Sequence, residues 1–264
     1  MSTRRSWVAG AAFFGGAFLI WLLTLLLLQV GQPQTSALVA GTGELVLIGA
    51  SAIYVFLTVA KWDQTDSVRL QWVLLGGASV AFFAGNLAYN VSLAQTSAPP
   101  SYPGLPDVFY VAMYVFFAAG ISIAAVSYSR LVDMREPAFA AAAITVVALV
   151  VIVFGLVIPV VKHTDLSSAQ MAISLFYPLA DVLLLVGPAV FAVLVVRQLG
   201  TGSLAWPWAF VAFGAGALAV SDAGYAWLRT IGVYNTGSVI DMGWMTAFAA
   251  VAVGASLARD AYET

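Results

Sequence analysis

The chain has no cysteine and only one histidine, His163, in 264 residues. Without thiols there can be no disulfide, thiolate metal site or thiol redox chemistry. One imidazole cannot supply two axial haem ligands or the histidine-rich shell of a zinc enzyme. Charge is scarce: 8% of residues are Asp, Glu, Lys or Arg, and the net charge is −2. A soluble domain carries about 25%, and a nucleic-acid binder would show a basic face. What fills the sequence is apolar, 62% hydrophobic with a mean hydropathy of +0.98. The composition predicts an all-α polytopic membrane protein whose first partner is the lipid bilayer.

Eight spans can be drawn, approximately 7–30, 37–60, 70–95, 106–129, 138–161, 169–196, 204–229 and 238–258. Each is near the ~20 residues that cross a bilayer core. Gln32-Pro33-Gln34, the run from Lys61 to Asp66, Ala98-Pro99-Pro100, Pro137, Lys162–Ser167, Gly200–Ser203 and Gly232–Gly237 punctuate them, because proline and glycine interrupt helices. The expectation is a single membrane domain over 1–264. With the N-terminus cytoplasmic, Arg4, Arg5, Lys61, Arg69, Arg130, Arg135, Arg197 and Arg259 fall inside, and only Lys162 and Arg229 outside. That bias predicts a plasma-membrane protein with both termini in the cytoplasm. The alternative, a cleaved leader beginning at Arg4-Arg5, meets an apolar run longer than the 7–15 residues of a signal core.

Five carboxylates lie in or at the mouths of spans: Glu44, Asp107, Asp181, Asp222 and Asp241. An ionised acid at a helix centre costs about 2.5–3.5 kcal/mol on insertion scales. In the expected orientation Glu44, Asn86, Asn90 and Asp222 occupy outer halves. Asp107 and Asp241 open their spans at the outer surface, and Asp181 sits deeper. The inner halves are almost purely apolar, which predicts a cavity opening outward. Structural readings compete with that one. Asp107 and Asp241 suit first-turn positions at helix N-termini, Asp222 and Arg229 are spaced for an ion pair, and Asn86 and Asn90, one turn apart, suit interhelical hydrogen bonding. Glu44 and Asp181 have no basic residue at their depth. The candidate ligand-binding cavity therefore comprises Glu44, Asn86, Tyr89, Asn90, Asp107, Tyr177, Asp181, Asp222, Tyr225, Arg229 and Asp241.

The two halves also resemble each other. Trp72 … Gly85-Asn86-Leu87-Ala88-Tyr89 … Pro106-Asp107 is echoed by Trp206 … Asp222-Ala223-Gly224-Tyr225 … Ile240-Asp241, and Glu44-Leu45-Val46 by Asp181-Val182-Leu183. Four spans return the chain to the same side, so residues 1–129 and 130–264 are expected to be two parallel four-helix repeats.

Three stretches carry a family resemblance: Pro106-Asp107-Val108-Phe109-Tyr110-Val111-Ala112-Met113-Tyr114, Leu175-Phe176-Tyr177-Pro178-Leu179-Ala180-Asp181, and Ser238-Val239-Ile240-Asp241-Met242-Gly243-Trp244. Their order and spacing resemble the N-terminal multi-span sensory module of bacterial, especially actinobacterial, GGDEF/EAL cyclic-di-GMP proteins and some histidine kinases. The resemblance implies signal input through altered helix packing. Only five residues follow Arg259, so the expectation is either an output on a separate cytoplasmic signalling partner or a module put to another use.

Other chemistries lack their residues. Lys61 and Lys162 lie between spans, leaving no intramembrane lysine for the retinal Schiff base of a microbial rhodopsin. An intramembrane hydrolase would need a serine–histidine set, a histidine–zinc set or paired catalytic acids, and of these only acids are present. Gly10, Gly15, Gly16, Gly76 and Gly77 suit close helix packing rather than phosphate binding. The expectation is a non-enzymatic sensor with no cofactor, no metal and no nucleic acid, receiving a small molecule, cation or lipid. The alternative is a proton- or cation-coupled secondary transporter.

Overall fold

Among the described residues, eight helices long and apolar enough to cross a membrane follow the eight apolar segments. The computed structural model describes residues 2–60, 62–96, 100–163, 166–199, 202–234 and 238–262. Lys61 and parts of the junctions at Ala98-Pro99, Thr164-Asp165, Gly200-Thr201 and 235–237 lie outside the described residues. The helices are α1 (Ser2–Gln29), α2 (Pro33–Val59), α3 (Ser67–Thr96) and α4 (Leu105–Ser129). After them come α5 (Arg135–Ile152, a π-helical turn Val153–Val157, then Ile158–His163) and α6 (Ser168–Ala180, a π-helical turn Asp181–Val186, then Gly187–Gln198). The last two are α7 (Gly202–Thr230) and α8 (Asp241–Tyr262).

Local chemistry sets the ends. Gly31 and Gly232 adopt φ of 75° and 73°. At the first, the Gln32 N–H reaches the Leu27 carbonyl at 2.9 Å and the Gly31 N–H reaches Leu28 at 3.1 Å. At the second, Val233 reaches Leu228 at 3.0 Å and Gly232 reaches Arg229 at 3.1 Å. These paired bonds satisfy the last carbonyls of α1 and α7, with glycine supplying the left-handed residue. Pro33 occupies the first turn of α2, where its missing N–H costs nothing. Ser167 and Gln170 cap α6 reciprocally. Each π-turn precedes a proline, Pro159 or Pro188. A proline ring clashes with the carbonyl four residues back, and a widened turn moves that carbonyl aside.

Packing places α8 at the centre. It contacts α1, α2, α3 and α7, and Ala247, Ala249, Ala250, Val251, Ala252 and Ala255 have no exposed surface. Small side chains let neighbouring backbones approach, the main source of helix association where lipid is as apolar as the core. By contrast α1 and α5 turn large residues outward, among them Leu19, Leu23, Phe139, Val147, Val151 and Phe154. Those faces are the ones for lipid.

The close-packing glycines are only partly those expected. Gly16, Gly76 and Gly77 do face tight neighbours, at 3.3 Å from Leu47, 3.1 Å from Phe56 and 3.4 Å from Phe116 for an added Cβ. Gly10 and Gly15 meet nothing within 4 Å, because α1 is peripheral. Close approaches to the backbone of a neighbouring helix are found elsewhere. An added Cβ would lie 2.9 Å from the Gln71 carbonyl at Gly120, 2.8 Å from the Ala247 carbonyl at Gly214, and 3.0 Å from the Pro207 carbonyl at Gly254.

With eight spans both termini lie at one end of the bundle. The opposite end gathers the C-terminal ends of α3 and α7, the N-terminal ends of α4 and α8, and the early turns of α2 and α6. All the candidate polar residues sit in this half.

Candidate functional site

A cavity of about 630 Å³ occupies that end. Ten of the candidate residues line it: Glu44, Asn86, Tyr89, Asn90, Asp107, Tyr177, Asp222, Tyr225, Arg229 and Asp241. Asp181 does not. It lies fully buried behind the wall, reached through Tyr114, because α6 turns it toward α4 and α7 rather than toward the opening. Glu44 and Asp181 therefore do not face each other in one open space.

The first group of contacts ties α2, α3 and α4. Asn86 donates from Nδ2 to Glu44 Oε1 at 3.0 Å and accepts from the Tyr110 hydroxyl at 2.7 Å. Asn90 turns back and donates to the Asn86 carbonyl at 2.8 Å. The interhelical role foreseen for this pair is met by Asn86 alone.

A second group ties α4, α6, α7 and α8. The Tyr114 oxygen is 2.7 Å from Asp181 Oδ1 and 2.9 Å from Asp222 Oδ2. A hydroxyl has one proton, so Tyr114 donates to one of these at a time. The other contact is a hydrogen bond only when its carboxyl carries a proton. Trp244 Nε1 donates to Asp222 Oδ1 at 2.7 Å. Asp181 Oδ2 is buried with no hydrogen-bond partner among the described residues.

The first-turn acids serve both structure and cavity. Asp107 accepts from the Gly104 N–H at 2.7 Å, closing the start of α4, and from the Tyr177 hydroxyl at 2.6 Å. Asp241 accepts from the Tyr234 hydroxyl at 3.1 Å and from Ser238 at 3.3 Å. The expected Asp222–Arg229 ion pair is not formed. Arg229 donates to the Tyr225 hydroxyl at 3.0 Å and lies over the Tyr102 ring, 4.6 Å from its centroid. Two turns of α7 separate it from Asp222, whose oxygens are already engaged.

Tyr102, Tyr110, Tyr114, Tyr234 and Trp244 also line the cavity, and the sequence reading left them out. Periodicity held a signal for three of them. Tyr110 and Tyr114 follow Asp107 at three and seven residues, and Trp244 follows Asp241 at three, all positions on the acid's own helical face. The loop residues Tyr102 and Tyr234 had no such signal.

Those two loop tyrosines are shielded from ionisation. Burial, then the Asp241 charge, pushes the Tyr234 hydroxyl up. Burial pushes Tyr102 from 10.0 to about 12, with the Ser174 hydrogen bond acting the other way. A raised folded value means the contribution is complete below pH 10.0 and is lost as pH rises toward about 12. Alkaline difference spectra of the protein minus Tyr102→Phe should show this tyrosinate forming above the ordinary tyrosine range. A titration centred at the ordinary tyrosine value would contradict the buried placement.

The chain matches no protein-family model, no curated protein and no solved structure.

Proposed function

We propose that this chain is a membrane-embedded signal-input module whose outward cavity receives a ligand and passes the change to a separate cytoplasmic partner. The observation that carries the reading is a roomy polar cavity at one end of a bundle whose other half is packed shut. Beneath the cavity, Leu75, Phe117, Ile121, Leu218 and Val251 have no exposed surface, and Trp72 and Trp208 stack with centroids 5.5 Å apart. Such a site favours binding over passage. The resemblance of the Asp107, Asp181 and Asp241 stretches to bacterial sensory modules supports the same reading, and the asymmetry of arginine and lysine supports cytoplasmic termini.

The two-repeat organisation belongs to this proposal. Helix pairs α1–α2, α2–α3, α3–α4 and α2–α8 have counterparts in α5–α6, α6–α7, α7–α8 and α6–α4. Gly120 meets the Gln71 carbonyl as Gly254 meets that of Pro207. The Glu44–Asn86–Tyr110 chain of contacts has its counterpart in Asp181, Asp222 and Trp244. A ligand binding between the halves would bias their packing, and only a difference in affinity between two packings transmits a signal.

One observation favours secondary transport instead. The α6 helix widens into a π-turn that begins at Asp181, and broken helices beside buried acids are a transporter feature. Native mass spectrometry of gently extracted protein separates the two. A retained kinase, cyclase or other cytoplasmic polypeptide is the expected result. A lone chain that drives proton-coupled flux in proteoliposomes, abolished by Asp181→Asn, would replace the sensor with a transporter.

A further inference from the structure

The cavity wall is chemically one-sided. Among the described residues four carboxylates line it, Glu44, Asp107, Asp222 and Asp241, against one cation, Arg229. Arg229 is engaged by Tyr225 and Tyr102 at the rim, not by an acid. Both oxygens of Asp107 accept hydrogen bonds from the protein, and both of Asp222 lie within hydrogen-bonding distance of a protein group, Trp244 Nε1 for one and the Tyr114 hydroxyl shared with Asp181 for the other. Glu44 differs. Only Oε1 is used, by Asn86, and Oε2 accepts no hydrogen bond among the described residues. It is a half-buried carboxylate facing the cavity with one open edge.

The remaining wall is largely aromatic, with Tyr89, Tyr110, Tyr114, Tyr225, Tyr234 and Trp244 among its members. Aromatic faces carry negative electrostatic potential and attract cations within about 6 Å of the ring centroid. The wall already does so at its rim, where the Arg229 guanidinium sits 4.6 Å over Tyr102 and 5.8 Å over Tyr225. An anion would meet four acids, and a neutral guest would leave them uncompensated. A bare metal ion fits poorly for a different reason. Among the described residues no three His, Cys, Asp or Glu side chains converge to hold one, and about 630 Å³ is space for a drug-sized guest.

We propose, resting on the ligand-receiving reading above, that the cavity takes an organic ammonium ion, its charge set against Glu44 and tyrosine faces and its apolar body against the remaining rings. The same chemistry is offered by a soluble amine and by the choline headgroup of a lipid.

The test uses the full chain in a sugar-headed detergent, which brings no ammonium of its own, and isothermal titration with three probes: benzyltrimethylammonium, benzyl alcohol and phenylacetate. Saturable binding is expected for the first alone. It should weaken about ten-fold or more in Glu44→Gln, a charge-neutralising change that keeps an oxygen for Asn86. Should that variant not fold, Asp241→Asn is expected to weaken binding in the same direction. Asp63→Asn, which removes an exposed acid in the α2–α3 loop, should leave affinity unchanged. Equal or tighter binding of phenylacetate or benzyl alcohol overturns the ligand class while leaving a ligand-receiving cavity standing. No saturable ammonium binding in the millimolar range also overturns the class, and the partner experiment then decides the sensor reading independently. Vesicles settle the source. Affinity lowered in phosphatidylcholine relative to an uncharged sugar-headed lipid, which adds neither surface charge nor ammonium, identifies a headgroup site, and equal affinity identifies a soluble amine.

Discussion

Replacing Tyr114 by phenylalanine should destabilise the protein by about 2–3 kcal/mol, more than an average interhelical hydrogen bond between membrane helices, which is worth about 0.6 kcal/mol. The larger figure follows from what is stranded. Tyr114 is 1% exposed and its hydroxyl joins α4 to Asp181 on α6 and Asp222 on α7. Asp222 keeps its bond from Trp244. Asp181 loses the hydrogen bond on Oδ1, its other oxygen already lacks one among the described residues, and only the neighbouring Asp222 carboxyl stays beside it. A buried polar group left unmatched costs about 1–3 kcal/mol, and more if charged. Replacing both partners by apolar groups removes the unmatched atoms along with the bond. Tyr114→Phe combined with Asp181→Leu should therefore recover most of the loss. Unfolding in detergent, followed by circular dichroism for the wild type, each single variant and the double variant, gives the coupling directly. If the two losses simply add, the Tyr114–Asp181 contact is not what holds these helices together.

The second large effect is expected at Gly214. A Cβ there would stand 2.8 Å from the Ala247 carbonyl oxygen and 3.1 Å from the Ala250 Cβ. A backbone oxygen on a central helix cannot swing aside as a flexible side chain can, so α7 and α8 must separate. Overpacking of this kind costs about 1–3 kcal/mol and sometimes more, and α7–α8 is a principal contact of the fold. Gly214→Val should thus cost about 3 kcal/mol. Gly216→Val, two residues on with nothing within 4 Å of its added Cβ, should be neutral or slightly stabilising, since valine is the better helix former. The same unfolding assay reads both. Equal losses at the two positions would mean that helix propensity, not the α7–α8 approach, governs this segment.

The two glycines show where sequence reading runs out. Both lie in one apolar helix of similar composition, and nothing local distinguishes them. The difference comes from which face α7 turns toward α8, which depends on helices distant in the chain. The same limit explains why Gly10 and Gly15 were expected at close contacts and meet none, while Gly120 and Gly254 do the close packing. It also explains Arg229. Helical spacing placed it on the Asp222 face, but the presence of Tyr102 in the α3–α4 loop and of Trp244 on α8 gave each side chain another partner.

Within one helix the sequence was a good guide. Asp107 at the first turn of α4 was legible because an acid after Gly104-Leu105-Pro106 has an obvious backbone donor to receive. The common depth of the polar residues was legible because rise per residue is fixed and the spans have known length. Ten of the candidate residues do line one cavity. Asp181 shares their depth on paper yet lies behind the wall, since depth does not specify azimuth.

Composition, hydrophobic length and helix punctuation by themselves determined the eight membrane-length helices among the described residues and the common half that holds Glu44, Asp107, Asp181, Asp222 and Asp241, because those properties are local and the bilayer fixes their scale. Only the tertiary structure decided that Tyr114 would meet Asp181 and Asp222, 67 and 108 residues away, and that Glu44 would keep an open edge toward an aromatic cavity. Those outcomes depend on the rotation of each helix about its axis. That rotation is set by small-residue contacts between helices far apart in sequence.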